Sequence, residues 1–198
     1  MFISFEGLDG SGKTTQVKLL SRRLREQGRD VVATREPGGT PLGERVRELL
    51  LAGKEMSAWA ETALFAAARA ELVELVVRPA LERGADVICD RYVDSSLAYQ
   101  GVARGLGVEP VLELNLAAVR GLLPDRTFVL LLDPSQALRR AGGGRDRIER
   151  ETPEFRRDVD RGFRELAERF PERIVKVDAE RPRREIAEFI HGALRQPS

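Results

Sequence analysis

A glycine-rich segment near the amino terminus has residue types and spacing that could bind phosphate. Residues 7–14 read Gly-Leu-Asp-Gly-Ser-Gly-Lys-Thr and fit the pattern G-x-x-x-x-G-K-[ST]. In this pattern backbone N–H groups surround phosphate oxygens, the lysine reaches the β- and γ-phosphates, and the hydroxyl group binds Mg²⁺. An ordinary glycine-rich turn before a helix is the alternative. The apolar strand pattern of residues 1–5 and the helical spacing of Val17, Leu20 and Leu24 favour the phosphate site, or P-loop.

Four further groups of residues could complete a site around this loop. They are the Arg-Glu-Pro-Gly-Gly segment 35–39, the pair Phe65 and Arg69 one helical turn apart, the polar segment 90–101, and the Arg- and Gly-rich segment 139–147. Segments 35–39, 90–101 and 139–147 each follow a predicted strand. Ligands of open α/β sheets bind beyond the carboxyl ends of the strands, so these segments are expected to meet the P-loop there.

The arginines of these segments suit a cleft that brings together two phosphate-bearing molecules. Phosphoryl transfer depends mainly on positioning and electrostatics, and cations must neutralise the converging negative charges. Lys13, Arg35 and Arg91 supply such cations, together with Arg139, Arg140 and Arg145, which we call the lid arginines. Surface ion pairs are the alternative for Arg35 and Arg91. Phe65 could equally be a core residue, although an isolated buried Arg69 on the same helical face would be costly.

The elements that must position these residues follow an alternating pattern along the chain. Apolar, β-prone runs predict strands at 1–5, 31–35, 87–89, 127–132 and 174–177. Helical periodicity or capping residues predict helices at 15–24, at 42–51, from Ser57 to about residue 83 with a bend or new turn at Pro79, at 110–122, from Ser135, at 155–170 and at 186–194. Residues 93–107 are a polar, glycine-punctuated stretch for which no helix or strand is predicted. The pattern predicts one α/β domain over residues 1–198, with a five-stranded parallel sheet covered by helices on both faces.

Composition excludes several classes of protein. The 198 residues contain 33 Lys and Arg against 32 Asp and Glu, a formal charge of +1, which argues against nucleic-acid binding through bulk charge. A single cysteine, Cys89, allows no internal disulfide and lies in an apolar run, so we expect a core residue. Because neither a signal peptide nor an apolar run of about 18 residues is found, we expect a cytoplasmic protein without a membrane partner.

Three motifs together resemble the bacterial thymidylate kinase family, nearly from end to end of the chain. They are Gly-Leu-Asp-Gly-Ser-Gly-Lys-Thr-Thr at 7–15, Arg-Glu-Pro-Gly-Gly-Thr at 35–40, and Asp-Arg-Tyr followed by Ser-Ser-x-Ala-Tyr-Gln-Gly within 90–101. The resemblance implies a P-loop NTPase fold with an Arg-rich lid at about residues 139–150. It also implies transfer of the γ-phosphate of ATP to dTMP, Mg²⁺ as the cofactor, and a homodimer.

The resemblance also implies roles for individual residues. Lys13, Arg91, Asp9, Arg140 and Arg145 would be catalytic. ATP would be bound by Gly7, Leu8, Asp9, Gly10, Ser11, Gly12, Lys13, Thr14, Thr15 and Arg139, and the metal by Thr14 and Asp90. The acceptor dTMP would be bound by Asp9, Arg35, Pro37, Phe65, Arg69, Arg91, Ser96, Tyr99 and Gln100. Within this set Asp9 would contact the 3′-hydroxyl, Phe65 would stack on thymine, Arg69 would donate to a thymine carbonyl, and Tyr99 would crowd the 2′ position.

Other classes of P-loop protein would carry different residues at identifiable positions of the sequence. Another nucleoside or nucleotide kinase of this fold would carry a different base-binding helix in place of Phe65 and Arg69. A regulatory GTPase would need a guanine-reading Asn-Lys-x-Asp, which the sequence lacks, and an ATPase switch would not need a second phosphate site around Arg35 and Arg91. Which lid arginine contacts the γ-phosphate is left open, because three consecutive glycines at 142–144 obscure the alignment.

Overall fold

A five-stranded parallel sheet organises the molecule. The structure is a computed structural model that describes residues 1–52, 55–142, 147–148 and 150–194. The strand order is β2-β3-β1-β4-β5. The strands are β1 (Phe2–Glu6), β2 (Val31–Arg35), β3 (Asp86–Asp90), β4 (Arg126–Leu131) and β5 (Ile174–Asp178).

The central strands are buried on both faces. Every residue of β1 is buried, and so are four consecutive residues of β3 and of β4. Because successive side chains of a strand point to opposite faces, helices must cover both sides of the sheet. The predicted α/β fold with a five-stranded parallel sheet is therefore confirmed. Phe5 lies beside Asp90 in β3 and beside Phe128 in β4, so the carboxyl ends of these three strands share one edge.

The helices fall close to the predicted positions. Their bounds are α1 (Lys13–Glu26), α2 (Pro41–Leu51), α3 (Ala58–Leu72), α4 (Arg78–Glu82), α5 (Val93–Ser96), α6 (Val108–Val119), α7 (Pro134–Ala141), α8 (Pro153–Arg169) and α9 (Arg183–Ala193). Side-chain caps fix several starts, as the predicted cap Ser57 does by accepting from the Ala60 N–H. No helix of these residues has the length and apolar character needed to cross a membrane.

The predicted irregularity near Pro79 is a widened turn. A π-helical segment, Val73–Val77, joins α3 to α4, and Pro79 lies in the first turn of α4. Proline has no N–H to donate and its ring crowds the preceding turn, so a regular α-helix could not continue through this position. The single long helix of the prediction is thus three joined segments.

The stretch 93–107, for which no helix was predicted, is helical over most of its length. Helix α5 continues as a π-helical segment, Leu97–Ala103. Its polar residues Asp94, Ser96 and Gln100 are buried alongside Leu97 and Ala98. Because partners elsewhere in the fold satisfy these buried polar groups, the segment lacks the apolar stripe that identifies a helix in a sequence.

Candidate active site

The glycine-rich loop connects β1 to α1 in a conformation that requires glycine. Gly7, Gly10 and Gly12 have φ angles of 130°, 83° and 98°. A Cβ atom on Gly10 would also lie 2.2 Å from the carbonyl oxygen of Ala137. The loop therefore packs its backbone against α7 and begins α1 at Lys13, as a helix N-terminus that binds phosphate requires.

Lys13 lies within this loop rather than in the apolar core. Its Nζ donates to the carbonyl oxygens of Gly7 and Leu8 at 3.0 and 2.9 Å, and lies 3.7 Å from Oδ1 of Asp9. Burial, together with the nearby charge of Arg91, lowers the pKa of Lys13 to about 8. A phosphate in the loop would favour the charged form and restore that pKa.

Arg91 links the glycine-rich loop to the segment that follows β3. Its guanidinium donates to the carbonyl oxygen of Gly7 at 2.9 Å, to Oδ1 of Asp9 at 2.7 Å and to Oγ of Ser95 at 3.1 Å. Burial alone would raise the pKa of Asp9, but Arg91 and Lys13 lower it. Arg91 has a φ of 73°, which is unfavourable for a residue with a side chain and is typical of functional positions.

A cleft next to the loop, here called the phosphate pocket, contains the predicted metal ligands and Arg35. It is lined by Asp9, Gly10, Gly12, Lys13, Thr14, Thr15, Arg35, Glu36, Arg47, Asp90 and Arg91. Oγ1 of Thr14 donates to Oδ2 of Asp90 at 2.5 Å. Arg35 pairs with Glu44 at 2.9 Å and is half exposed, so both halves of that ion pair remain open to solvent.

A second cleft, here called the acceptor pocket, adjoins the first. Its lining consists of Asp9, Glu36, Pro37, Arg47, Leu51, Phe65, Arg69, Arg91, Ser95, Ser96, Tyr99, Gln100 and Ile148. Every residue predicted to bind the acceptor is in this set except Arg35, which lines the phosphate pocket. The two pockets share Asp9, Glu36, Arg47 and Arg91, so ligands in the two would meet at Asp9 and Arg91.

Arg69 is buried at the acceptor pocket but is not isolated. Its Nε and Nη2 both lie 2.7 Å from Oε2 of Glu36. The remaining donors bind Oγ of Ser96 at 3.1 Å, the carbonyl oxygen of Tyr92 at 3.0 Å and Oδ1 of Asn115. The expected cost of an isolated buried arginine therefore does not arise, because Glu36 neutralises it. The sequence analysis quoted Glu36 within segment 35–39 but did not predict that it would pair with Arg69.

Phe65 serves the core and the pocket at once. It is partly buried, packs against the small apolar cluster of Val46, Leu50 and Ala68, and contributes to the lining of the acceptor pocket. A ring held on one side by aliphatic side chains keeps its other face available for stacking. Phe65 is therefore part of the small apolar cluster and of the acceptor-pocket lining, and its stacking on a base stays a prediction.

Two buried carboxylates that the sequence analysis also missed hold the segment after β3. Glu6 accepts from the Tyr92 N–H at 2.7 Å and from Oγ of Ser95 at 2.5 Å; burial and the charge of Asp94 raise its pKa to about 8. Asp94 accepts both ends of the Arg173 guanidinium at 2.6 and 2.7 Å. These contacts fix the backbone on either side of Arg91.

The lid arginines that the structure describes lie outside both pockets. Arg139 donates to Oγ of Ser135 in its own helix at 3.3 Å, and Arg140 donates to the carbonyl oxygen of Ala179 at 3.1 Å. Neither contributes to the lining of the acceptor or phosphate pocket. Arg145 lies outside the described residues. The expectation that these arginines surround the phosphates is not met in this conformation.

Three further residues, Cys89, Tyr92 and His191, lie outside both pockets, and the place of Cys89 in the core was predicted from the apolar run around it. Cys89 is a buried core residue, and Tyr92 packs edge-on against Phe2 with its ring centroid 4.9 Å away. His191 lies in α9, where its Nε2 is 3.2 Å from Nε2 of Gln27. None of the three belongs to the lining of either pocket.

Comparison with known proteins gives one consistent family. The family model described as "Thymidylate kinase" matches residues 5–190. A curated thymidylate kinase of Symbiobacterium thermophilum is 53% identical over 193 residues, which cover 96% of this chain and 90% of that protein. The thymidylate kinase of Deinococcus radiodurans is 48% identical over 197 residues, covering 98% and 96%. The crystal structure of thymidylate kinase from Ehrlichia chaffeensis superposes with a TM-score of 0.82 at 34% identity, covering 98% of both chains.

Proposed function

The chain belongs to the thymidylate kinase family, and we propose that it transfers the γ-phosphate of ATP to dTMP, forming dTDP and ADP for dTTP biosynthesis. The observation that carries this proposal is the pair of adjoining pockets that share Asp9 and Arg91. An enzyme that joins two nucleotides needs both phosphate groups at one point. A protein that only binds or hydrolyses ATP has no use for the second pocket.

On the ATP side, the glycine-rich loop supports binding of the β- and γ-phosphates. Lys13 already lies among the loop carbonyls, so a small movement of Nζ would bring it onto phosphate oxygens. Charge that develops on the transferring group would be neutralised by Lys13 and Arg91, which both donate to the carbonyl oxygen of Gly7. We therefore assign Lys13, Arg91 and Asp9 to the reaction centre, with Gly7–Thr15 as the ATP-binding segment.

The residues at the end of β3 fit a magnesium ion. Thr14 and Asp90 offer a hydroxyl and a carboxylate oxygen 2.5 Å apart. Mg²⁺ prefers oxygen ligands, and beside substrate phosphates it is typically held by one or two protein groups and water. No cluster of three or more His, Cys, Asp or Glu is found within the described ranges, which suits a metal that arrives with ATP. When bound, Mg²⁺ would neutralise charge on the β- and γ-phosphates.

On the acceptor side, the lining of the second pocket supports a deoxyribonucleoside monophosphate. Arg35 and Arg91 would bind its phosphate, and Phe65 would stack on the base next to Arg69 and Gln100. The Tyr99 hydroxyl lies 3.5 Å from Nη2 of Arg91, which supports a place for this ring beside the sugar. Asp9, held by Arg91, is the acceptor for a sugar hydroxyl. Pro37 and Ser96 complete the wall.

The reaction requires no general base. The second pKa of a phosphate monoester is about 6, so the acceptor oxygen is largely ionised at neutral pH. Catalysis then rests on bringing two anions together in line, which is the task of the cations around the pockets.

We propose further that the lid arginines approach ATP when both substrates bind, that residues 1–198 form one kinase domain, and that the enzyme is a cytoplasmic homodimer.

Direct product analysis tests the proposed reaction. Purified protein is incubated with ATP, dTMP and Mg²⁺, and nucleotides are separated by chromatography. We expect dTDP and ADP to appear in equal amounts, and to be absent when ATP is omitted or Mg²⁺ is chelated. ADP formation without dTDP would mean that the chain is an ATPase and that the proposal is wrong.

A further inference from the structure

Glu61 is a buried carboxylate in the first turn of α3 that accepts hydrogen bonds from three residues in two separate segments of the chain. Its exposed fraction is 1%. Oε1 accepts from Nε2 of Gln100 at 2.7 Å and from Nε of Arg104 at 3.3 Å. Oε2 accepts from Nη2 of Arg104 at 3.2 Å and from Nη2 of Arg147. Burial alone would raise the pKa of Glu61, but these hydrogen bonds lower it, so the group is an anion at neutral pH.

An ionised carboxylate determines how the Gln100 carboxamide is oriented. A carboxylate can only accept hydrogen bonds, so Gln100 must turn its NH₂ group toward Glu61. The carboxamide oxygen is then the atom that Gln100 presents to the acceptor pocket, whose wall it forms. A carbonyl oxygen there can accept a hydrogen bond from a base but cannot donate one.

The same carboxylate holds the segment that follows the lid arginines, composed of Arg147, Ile148, Arg150 and Glu151 and here called the post-lid segment. Arg147 binds Glu61 through Nη2 and the carbonyl oxygen of Leu50 through Nε at 3.1 Å. Ile148, the next residue, lies in the wall of the acceptor pocket. Arg104 adds a second link, since its Nη2 lies 2.5 Å from Oε1 of Glu151.

We propose that Glu61 is a positioning residue that orients Gln100 for thymine and couples this orientation to docking of the post-lid segment through Arg147. The proposal rests on the proposed function. Thymine carries N3–H, a donor that matches the oxygen of Gln100, whereas cytosine carries an unprotonated N3 that repels it. Docking of Arg147 neutralises Glu61 and brings Ile148 against the acceptor, so the base pocket and the lid region are completed together.

The substitution Glu61→Gln tests the orientation directly. A glutamine at this position can donate as well as accept, so the Gln100 carboxamide can turn over and present its NH₂ group to the pocket. We expect the ratio of kcat/KM for dTMP to kcat/KM for dCMP to fall by about 10-fold or more. KM for ATP should change by less than about 2-fold, since Glu61 does not line the phosphate pocket. A merely structural role would lower both activities and leave the ratio unchanged.

The substitution Arg147→Met tests the coupling and does not depend on the folding of the Glu61 variant. Glu61 keeps Arg104 and Gln100 as partners when Arg147 is replaced, so we expect this variant to fold. We expect KM for dTMP to rise about 10-fold, with little change in KM for ATP. Arg157→Met is the matched control, because Arg157 pairs with Glu154 on the exposed face of α8 at 2.6 Å. It should leave both KM values unchanged.

The outcomes separate the inference from the proposed function. Wild-type protein that does not phosphorylate dTMP refutes the proposed function. Active wild type, combined with an unchanged dTMP to dCMP ratio in a folded Glu61→Gln variant, overturns the orientation by Glu61. Equal effects of Arg147→Met and Arg157→Met on KM for dTMP overturn the coupling. If Glu61→Gln does not fold, the Arg147→Met comparison still decides whether Glu61 couples the acceptor pocket to the post-lid segment.

Discussion

Replacing Glu36 by glutamine tests whether the buried ion pair with Arg69 supports the acceptor pocket. The side chains of Arg69 and Glu36 are 1% and 4% exposed. Glutamine keeps the shape of the side chain and can leave its oxygen facing Arg69, so the substitution mainly removes a charge. Oε1 of Glu36 has no hydrogen-bond partner among the described residues, so an NH₂ group there would displace no existing bond.

The expected loss follows from the contacts that Arg69 retains. Removing one partner of a buried ion pair typically costs about 3–5 kcal/mol, because the other charge is left uncompensated. Arg69 keeps its bonds to Ser96, Asn115 and the Tyr92 carbonyl, so we expect a loss at the lower end, about 3 kcal/mol. For a chain of this length 1 kcal/mol lowers Tm by about 2–4 °C, so Tm should fall by roughly 6–12 °C.

The assay is thermal and urea-induced unfolding of Glu36→Gln beside a geometrically matched control. In the control Glu26→Gln, the parent glutamate also accepts from an arginine Nε at 2.7 Å, but that pair is 80% and 60% exposed. An exposed pair contributes about 0–1 kcal/mol, so the control should change Tm by no more than a few degrees. Measurements are made at pH 8, because burial raises the pKa of Glu36 and the comparison needs its ionised form.

A Glu36→Gln variant no less stable than Glu26→Gln would refute the reasoning. A second test uses the double variant in which Arg69→Met accompanies Glu36→Gln. If the uncompensated charge causes the loss, the double variant should lose less stability than the sum of the two single variants. Additive losses would mean that the two side chains act independently.

Four further predictions concern the site. Lys13→Ala should lower kcat by about 10²–10³-fold without changing Tm appreciably, and near-normal turnover would remove the glycine-rich loop from the reaction centre. Phe65→Ala should raise KM for dTMP about 5- to 150-fold and leave KM for ATP nearly unchanged, whereas equal effects on both would indicate a purely structural ring. Replacing the three lid arginines with alanine should lower kcat by at least about 10²-fold while KM for dTMP changes little; an unchanged kcat would limit the lid to a cover. Burial raises the pKa of Glu6 from its ordinary value of 4.5 to about 8 in the folded protein. The contribution of Glu6 to the free energy of unfolding is therefore fully present below about pH 4.5 and is lost as the pH rises through about 8. The free energy of unfolding of Glu6→Gln, measured in urea at several pH values, should lack this pH dependence, whose slope approaches about 1.4 kcal/mol per pH unit. An unchanged slope would assign the pH dependence to other groups.

Local patterns predicted the fold and most of the residues of the site. The glycine-rich loop, the strand ends at Arg35 and Asp90, and the pair Phe65 and Arg69 are identified by residue type and short spacing alone. Parallel strands that alternate with helices bring their carboxyl ends to one edge, and the geometric meeting of these segments follows. Residues separated by tens of positions in the chain therefore line two adjoining pockets, as expected.

Pairings between distant residues could not be predicted in the same way. Glu36 and Arg69 are 33 positions apart, and Asp94 and Arg173 are 79 positions apart. No periodic pattern links such residues, and a charged residue looks exposed until its partner is known. The helix that begins at Val93 was not predicted for the same reason, because its buried polar residues look exposed in the sequence. The positions of Arg139 and Arg140 were likewise not predicted. In this conformation Arg139 donates to Oγ of Ser135 and Arg140 donates to the carbonyl oxygen of Ala179, and both acceptors lie outside the pockets.

Acceptor selectivity tests the central claim most directly. Release of ADP is followed in a coupled assay with ATP and Mg²⁺ and with dTMP, dUMP, UMP, CMP, AMP or GMP as the acceptor. A pocket walled by Phe65, Arg69, Tyr99 and Gln100 should give the highest kcat/KM with dTMP, and the ribonucleotides UMP and CMP should be poor acceptors. UMP or CMP used as well as dTMP would contradict the account of the acceptor pocket.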